Sequence, residues 1–322
     1  MEKTETKEKQ EKQEKQEKKA AEPESFSAKE IADRLKNARH KADIPLTVLA
    51  VLITLGLLAF LSYAAVTARE NEEVLKFLTE VTGFGPQVIQ FILRVGGDIA
   101  LVFMAVLLLK IVEQNITFLG KMLSGEMRLS DSRFSEIKEI YNTWTGACGL
   151  KIVPEIFISG SDYKSEVLNV PVRSNKVISI DKKMILAAEK SGDWTEVEYT
   201  LARRLAKIYL GYYGLPDQLF TFSVKLIPGL KQLLSRCRTY SVDRVIMALL
   251  GPEEAIEQTF CQCYDVDLYR DLDREAIVDH KLRSFSRAEK LSKFLENAGS
   301  ETPISPFRLE AMLNPEKDGR LF

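Results

Sequence analysis

Arg203 and Lys207 stand four residues apart in the stretch LARRLAKIYLGYYG, Leu201 to Gly214, with Arg204 between them. The surrounding apolar residues repeat at helical spacing, which predicts a helix with Val197, Leu201, Leu205, Ile208 and Tyr212 on its buried face. Side chains at i and i+4 of a helix project together. When both are imidazoles, that spacing holds one metal ion, and a neighbouring carboxylate can activate a bound water. Arginine and lysine cannot do this, because a cation has no lone pair to give a metal and repels it. The chemistry these three residues suit is the binding of an anion, such as a peptide carboxylate, or of an acidic side chain of the protein itself.

No other part of the chain restores a metal site by simple spacing. It contains two histidines, His40 and His280, far apart in sequence, and four cysteines, Cys148, Cys237, Cys261 and Cys263. So few and scattered thiols suit a reduced compartment rather than a disulfide framework. Cys261 and Cys263 form a lone C-x-C within CQCYDVDLYRD, where Asp265 and Asp267 follow. A displaced metal set drawn from His280, Cys261, Cys263, Asp265 and Asp267 is the alternative enzymatic reading, although helical spacing would spread those groups around the axis.

The elements that must position Arg203 and Lys207 follow from periodicity. Helical pattern runs from 131 to 148, and strand character follows in KIVPEIFISG, SEVLNVPV and NKVISID. Helices are expected again at 195–213, 216–250, 252–263 and 284–298, punctuated by Pro216, Pro228 and Pro252. The resulting expectation is an α+β domain, helices plus a small antiparallel sheet, over residues 113–322.

Two further regions precede it. Residues 1–43 form a charged arm whose first 24 residues hold eight Glu and seven Lys in a repeated KEKQEKQ pattern, expected to be disordered or a fluctuating, coiled helix. Balanced charge there, and a formal net charge of -1 for the 322-residue chain, argue against a nucleic-acid partner. From Lys29 to Lys41 the balance turns basic. Residues 44–112 carry two long apolar runs, about 44–66 and 89–112, each of a length that covers the ~30 Å hydrocarbon core of a bilayer. They predict a two-helix transmembrane hairpin and a lipid bilayer as partner. Arg94 and Asp98, four residues apart, either neutralise each other inside that bilayer or mark its edge, with the span starting near Gly97. The basic cluster before Ile44 places both termini and the C-terminal domain in the cytoplasm and residues 67–87 outside.

With these residues in view, the chain resembles the HtpX-like integral-membrane zinc metallopeptidases, relatives of the CAAX prenyl proteases. In that family the helix reads Leu-Ala-His-Glu-Leu-Gly-His-Ile. Leu201, Ala202, Leu205 and Ile208 match it, whereas Arg203, Arg204 and Lys207 replace the first ligand, the general base and the second ligand. The segment SRCRTYSVDR keeps Ser235, Arg236, Tyr240, Asp243 and Arg244 of the family pattern, but Thr239 replaces the glutamate that is the third zinc ligand. Asn169 occupies the place of the family asparagine before a substrate-facing edge strand. Pro303 and Arg308 keep the spacing of a His-Pro and a following Arg, with Thr302 in place of that histidine. The likeness covers about residues 115–312.

The resemblance implies a zincin-like metallopeptidase domain behind a transmembrane hairpin, with zinc as the family's cofactor. The exchanged residues imply that no zinc is held and that there are no catalytic residues at these positions. A possible binding cleft would comprise Asn169, Arg203, Lys207, Asp243 and Arg308, with Asp243 expected beside Arg203 or Lys207. The expected function is that of a membrane-anchored pseudopeptidase, which binds or regulates an extended peptide, a membrane-protein client or an active peptidase relative. The competing readings are an active metallopeptidase with non-standard ligands and a membrane scaffold acting through the charged arm.

Overall fold

Eight residues of one helix, among them Val197, Tyr199, Leu201, Leu205 and Ile208, are buried, and the folded body is arranged around it. The computed structural model of the chain describes residues 27–67, 72–125, 127–128, 134–159, 167–169, 176–212, 214–221, 224, 227, 229–264, 292, 299–303, 305–314, 316 and 318–321. The first 26 residues, the expected helix at 284–298 apart from residue 292, His280, Asp265 and Asp267 lie outside the described residues.

In chain order the described elements are α1 (Ala28–Leu35), α2 (Asp43–Thr67), α3 (Glu72–Thr82), α4 (Pro86–Gly125), β1 (Met127–Arg128), α5 (Ser135–Ala147), β2 (Glu155–Ser159), β3 (Val167–Asn169), β4 (Lys176–Asp181), α6 (Lys182–Ser191), α7 (Thr195–Tyr209), α8 (Leu215–Phe220), α9 (Leu230–Leu250), α10 (Pro252–Tyr264) and α11 (Ser305–Leu313). Helix dominates. The four strands form one sheet in the order β1-β2-β4-β3, in which the longest pairing, β2 with β4, is parallel and the short edge strands pair antiparallel.

This arrangement overturns the expected fold. The strands lie where alternation placed them, but the small antiparallel sheet of a zincin-like domain is absent from the described residues. The reason is the order of pairing. β4 inserts between β2 and β3, so the hairpin partner β3 takes the edge and β2, the strand before it, meets β4 in parallel. Ile156, Ile178 and Ile180 turn one face of this sheet into the core, against which α7 packs.

The transmembrane expectation is overturned as well. Helices do form over both apolar runs, but among the described residues no helix is long and apolar enough to cross a membrane. The expected hairpin, the integral-membrane localisation and its inside–outside assignment are therefore corrected. Part of the apolar run at 44–66 serves the folded body instead. In α2, Asp43 is fully buried, and Ala50, also fully buried, packs with Leu234 of α9 and with Val224, which precedes that helix. The Thr54 hydroxyl returns to the Ala50 carbonyl at 2.9 Å. In α4 the apolar run is broken by Arg94, Asp98, Lys110 and Glu113. Both helices also expose large apolar side chains, among them Leu52, Phe91, Val102 and Leu109.

Local chemistry explains several boundaries. Ser27 caps α1 in a reciprocal box with Glu30, whose carboxylate accepts from the Ser27 amide at 2.9 Å. Asp181 ends β4 and caps α6 by accepting the Lys183 N–H at 2.8 Å. The helix expected from 216 to 250 is divided into α8 and α9, and Gly229 supplies the positive φ, 86°, of the residue that caps the start of α9. Ile31, Leu35 and Ala38 belong to the same core cluster as α7 and α9, so residues 28–38 of the charged arm are part of the folded body.

Candidate functional site

α7 lies against α9 and β4, its apolar stripe inward, and this sets Arg203, Arg204 and Lys207 on partly buried positions rather than in open solvent. Arg203 reaches α10, where its Nη1 donates to Gln262 Oε1 at 3.1 Å. On α9, the Thr239 hydroxyl donates to the Ser235 carbonyl at 3.0 Å, one turn back in its own helix. These positions do not fit zinc. Two are cations that repel a metal ion, and the third is a neutral hydroxyl already committed to a backbone oxygen. Among the described residues, no group of three or more His, Cys, Asp or Glu side chains is placed to hold a metal ion.

Asp243 has a different partner from the one expected of it. Its carboxylate, 1% exposed, accepts two hydrogen bonds from Arg308 of α11, from Nε and Nη2, each at 2.6 Å. Arg308 Nη2 also donates to the Tyr199 hydroxyl of α7 at 3.3 Å. The Tyr199 and Thr259 hydroxyls lie 3.0 Å apart, and Thr259 donates to the Ala255 carbonyl at 2.8 Å within α10. Because Thr259 spends its proton on that carbonyl, Tyr199 is the donor between them. The chain of bonds runs Arg308 to Tyr199 to Thr259 to Ala255, with no buried hydroxyl left over. It joins α7, α9, α10 and α11 through polar groups in an otherwise apolar core. Burial alone would push the Arg308 guanidinium toward its neutral form, but the Asp243 charge and hydrogen bonds outweigh it, so the pKa is raised and Arg308 stays charged.

Of the expected cleft residues, the structure thus joins Asp243 directly to Arg308 and sends Arg203 to Gln262. Asn169 ends β3 on the edge of the sheet, opposite Lys176 of β4. Cys261 packs against the core cluster, and Cys261 and Cys263 are partly buried cysteines that form no disulfide. Tyr199, Thr259 and Gln262 escaped the sequence reading. Tyr199 lies on the buried side of α7, where its hydroxyl needed a partner, and that requirement is the only signal that pointed to it.

A second polar cluster surrounds the start of α2. Tyr212 donates to Asp43 Oδ2, and the Arg39 Nε lies 3.5 Å from the same oxygen. Arg39 Nη2 donates to the Leu210 carbonyl at 2.8 Å. Arg238 makes two bonds to Asp217, of 2.9 and 2.5 Å, and its guanidinium lies 4.7 Å from the centre of the Tyr212 ring. These contacts hold the end of α7, the start of α2 and α9 together. Comparison with family models, with curated proteins and with solved structures finds no match.

Proposed function

We propose that this protein is a catalytically silent relative of the HtpX-like metallopeptidases that binds an extended peptide without cutting it. The observation that carries the reading is that the side chains at two of the three metal positions are bonded into the protein's own frame. Arg203 bonds to Gln262 of a neighbouring helix, and Thr239 bonds to its own helix backbone. Neither arrangement offers a Lewis acid or an activated water, so hydrolysis has no agent at these positions.

Binding needs neither. β3 pairs with β4 on one side only among the described residues, and an extended chain can add to an open strand edge through main-chain hydrogen bonds. Asn169 stands on that edge, and Arg203 and Lys207 supply positive charge on α7, which suits a peptide with acidic side chains or a free carboxylate. Specificity would come from those charges, and affinity from the ladder of backbone bonds.

Dye-labelled, unfolded β-casein peptides provide the test, with binding read by anisotropy and integrity by mass spectrometry. Saturable binding with intact peptide recovered is expected. Leu168→Pro and Asn169→Pro, one of which removes an N–H from the outer edge, should weaken binding, as should Lys207→Glu. Cleavage that a chelator abolishes and zinc restores would overturn the silent-site reading. Binding untouched by either proline would overturn the edge-strand reading.

A further inference from the structure

His40 is buried, 4% exposed, where three parts of the chain meet: the segment that leads into α2, the middle of α9, and the C-terminal residues 318–321. Each ring nitrogen has a partner on a different part. Nδ1 receives the Ala42 N–H at 3.1 Å and faces Cys237 Sγ of α9, also at 3.1 Å. Nε2 lies 3.3 Å from the Gly319 carbonyl. An amide N–H can only donate, so Nδ1 is the unprotonated acceptor and Nε2 carries the proton to Gly319. The Cys237 thiol, pushed up to about 12 by burial, keeps its hydrogen and points it at the same Nδ1. The neutral ring is therefore fully satisfied in one tautomer.

The C-terminal residues cross α9 as a strap. The Tyr240 hydroxyl donates to the Arg320 carbonyl at 2.9 Å, and Tyr240 stacks on the His40 ring with centroids 5.7 Å apart. Gly319 lies so close to the Tyr240 ring that a Cβ there would come within 2.4 Å of its atoms, so only glycine allows the backbone to pass. Asp318 ties the strap sideways, to Lys41 at 3.0 Å and to Arg244 at 3.1 Å.

We propose that His40 is an acid-sensitive latch: neutral, it holds the strap and the segment before α2 together on α9, and protonated, it releases both. A proton on Nδ1 would face the Ala42 N–H, a donor that cannot turn away, and would place a positive charge in a buried site. The charged groups around the ring do not accommodate it. Arg244 on α9 repels the new charge, whereas Arg39 and Lys41 on the His40 segment are engaged with Asp43 and Asp318. Asp318 on the strap is shared by Lys41 and Arg244, and Asp43 at the head of α2 is held by Tyr212 and Arg39. Burial pushes the imidazole pKa downward from 6.5, and the Gly319 hydrogen bond, Asp318 and Asp43, which pull it upward, do not make up the difference. A group depressed in this way contributes stability above its ordinary pKa, and that contribution is lost as the pH falls through it.

Hydrogen–deuterium exchange of the full chain, read by mass spectrometry and corrected for intrinsic rate, tests this at about pH 7.5 and about pH 5.5, the interval in which histidine titrates. Protection of residues 36–43 and 318–321 should fall together at the lower pH, several-fold and at most about tenfold, the ceiling for a single group that titrates at 6.5 once opened, as for one cooperative local opening. His40→Asn and His40→Gln, which keep one polar contact each and do not titrate, should abolish that pH dependence. Gly319→Ala should leave the strap unprotected at both values. Glu254→Gln and His280→Asn should keep the acid response. Persistence of the response in both His40 variants, its loss in Glu254→Gln or His280→Asn, or a fall confined to one of the two segments would overturn the latch.

Discussion

Arg308 grips Asp243 through two nitrogens, each 2.6 Å from a carboxylate oxygen, and neither side chain is more than 10% exposed. Planar, two-point pairing is the geometry in which a guanidinium and a carboxylate bind each other best. Its position matters as much as its form. The pair bridges α9 and α11, and through Tyr199 and Thr259 it reaches α7 and α10.

Removing one partner leaves the other as an uncompensated buried charge. Asp243→Ala and Arg308→Met should therefore each cost about 3–5 kcal/mol, whereas the double replacement should cost less than the sum, with a coupling of about 0.5–3 kcal/mol. Urea unfolding followed by circular dichroism measures all three. Additive losses would show that the pair is not a unit.

Leu205 is fully buried in the helix that carries Arg203 and Lys207. Leu205→Ala should cost ~2–5 kcal/mol, the range for deleting a buried leucine side chain. A loss well below that range, in the same unfolding experiment, would mean that the helix is not packed as described.

Glu254 lies on α10, and its carboxyl pKa is raised from 4.5 to about 7, first by burial and then by the charges of Glu198, Glu257 and Asp193. The sign follows from proton uptake. Between pH 4.5 and about 7 the folded chain binds more protons at this group than the unfolded chain, so its contribution to stability declines as pH rises. Glu254→Gln should remove that decline. Denaturant midpoints collected across this interval for both proteins provide the comparison, and parallel curves would reject the assignment.

The likeness to the metallopeptidase helix has its own test. The unaltered chain is expected to hold far less than one tightly bound zinc. If α7 and α9 keep the family's relative placement, then Arg203→His, Arg204→Glu, Lys207→His and Thr239→Glu together should raise the zinc content, by metal analysis of folded protein, toward one per chain. A folded variant that still takes up no zinc would show that matching residues do not bring matching geometry.

How far local sequence reaches is visible in particular residues. Val197, Leu201, Leu205 and Ile208 repeat at 3.6-residue spacing, and all four are buried on α7 as expected. Strands fall within KIVPEIFISG, SEVLNVPV and NKVISID, because alternation and β-branching are properties of a short window. The partner of a strand is not such a property. Whether β2 meets β3 or β4 depends on how the chain returns after residue 160, and the short range of side-chain alternation cannot register that choice.

At Ala50 the first apolar run misled for a related reason: an apolar side chain that suits lipid also suits a protein core, and only its neighbours Val224 and Leu234 show which surface it meets. Asp243 was expected beside Arg203 or Lys207, and Arg308, a third cation of the same expected cleft, was an equally eligible partner by charge. What selected Arg308 was the approach of α11 to α9, a contact between residues 65 positions apart. His40 belongs to the same class. Its type and rarity were plain from the sequence, whereas its burial, its tautomer and its contacts with Cys237 and Gly319 arise only where distant segments close on one another. Spacing along a helix determined which residues share a face; the entropy-limited closure of long loops determined which faces meet.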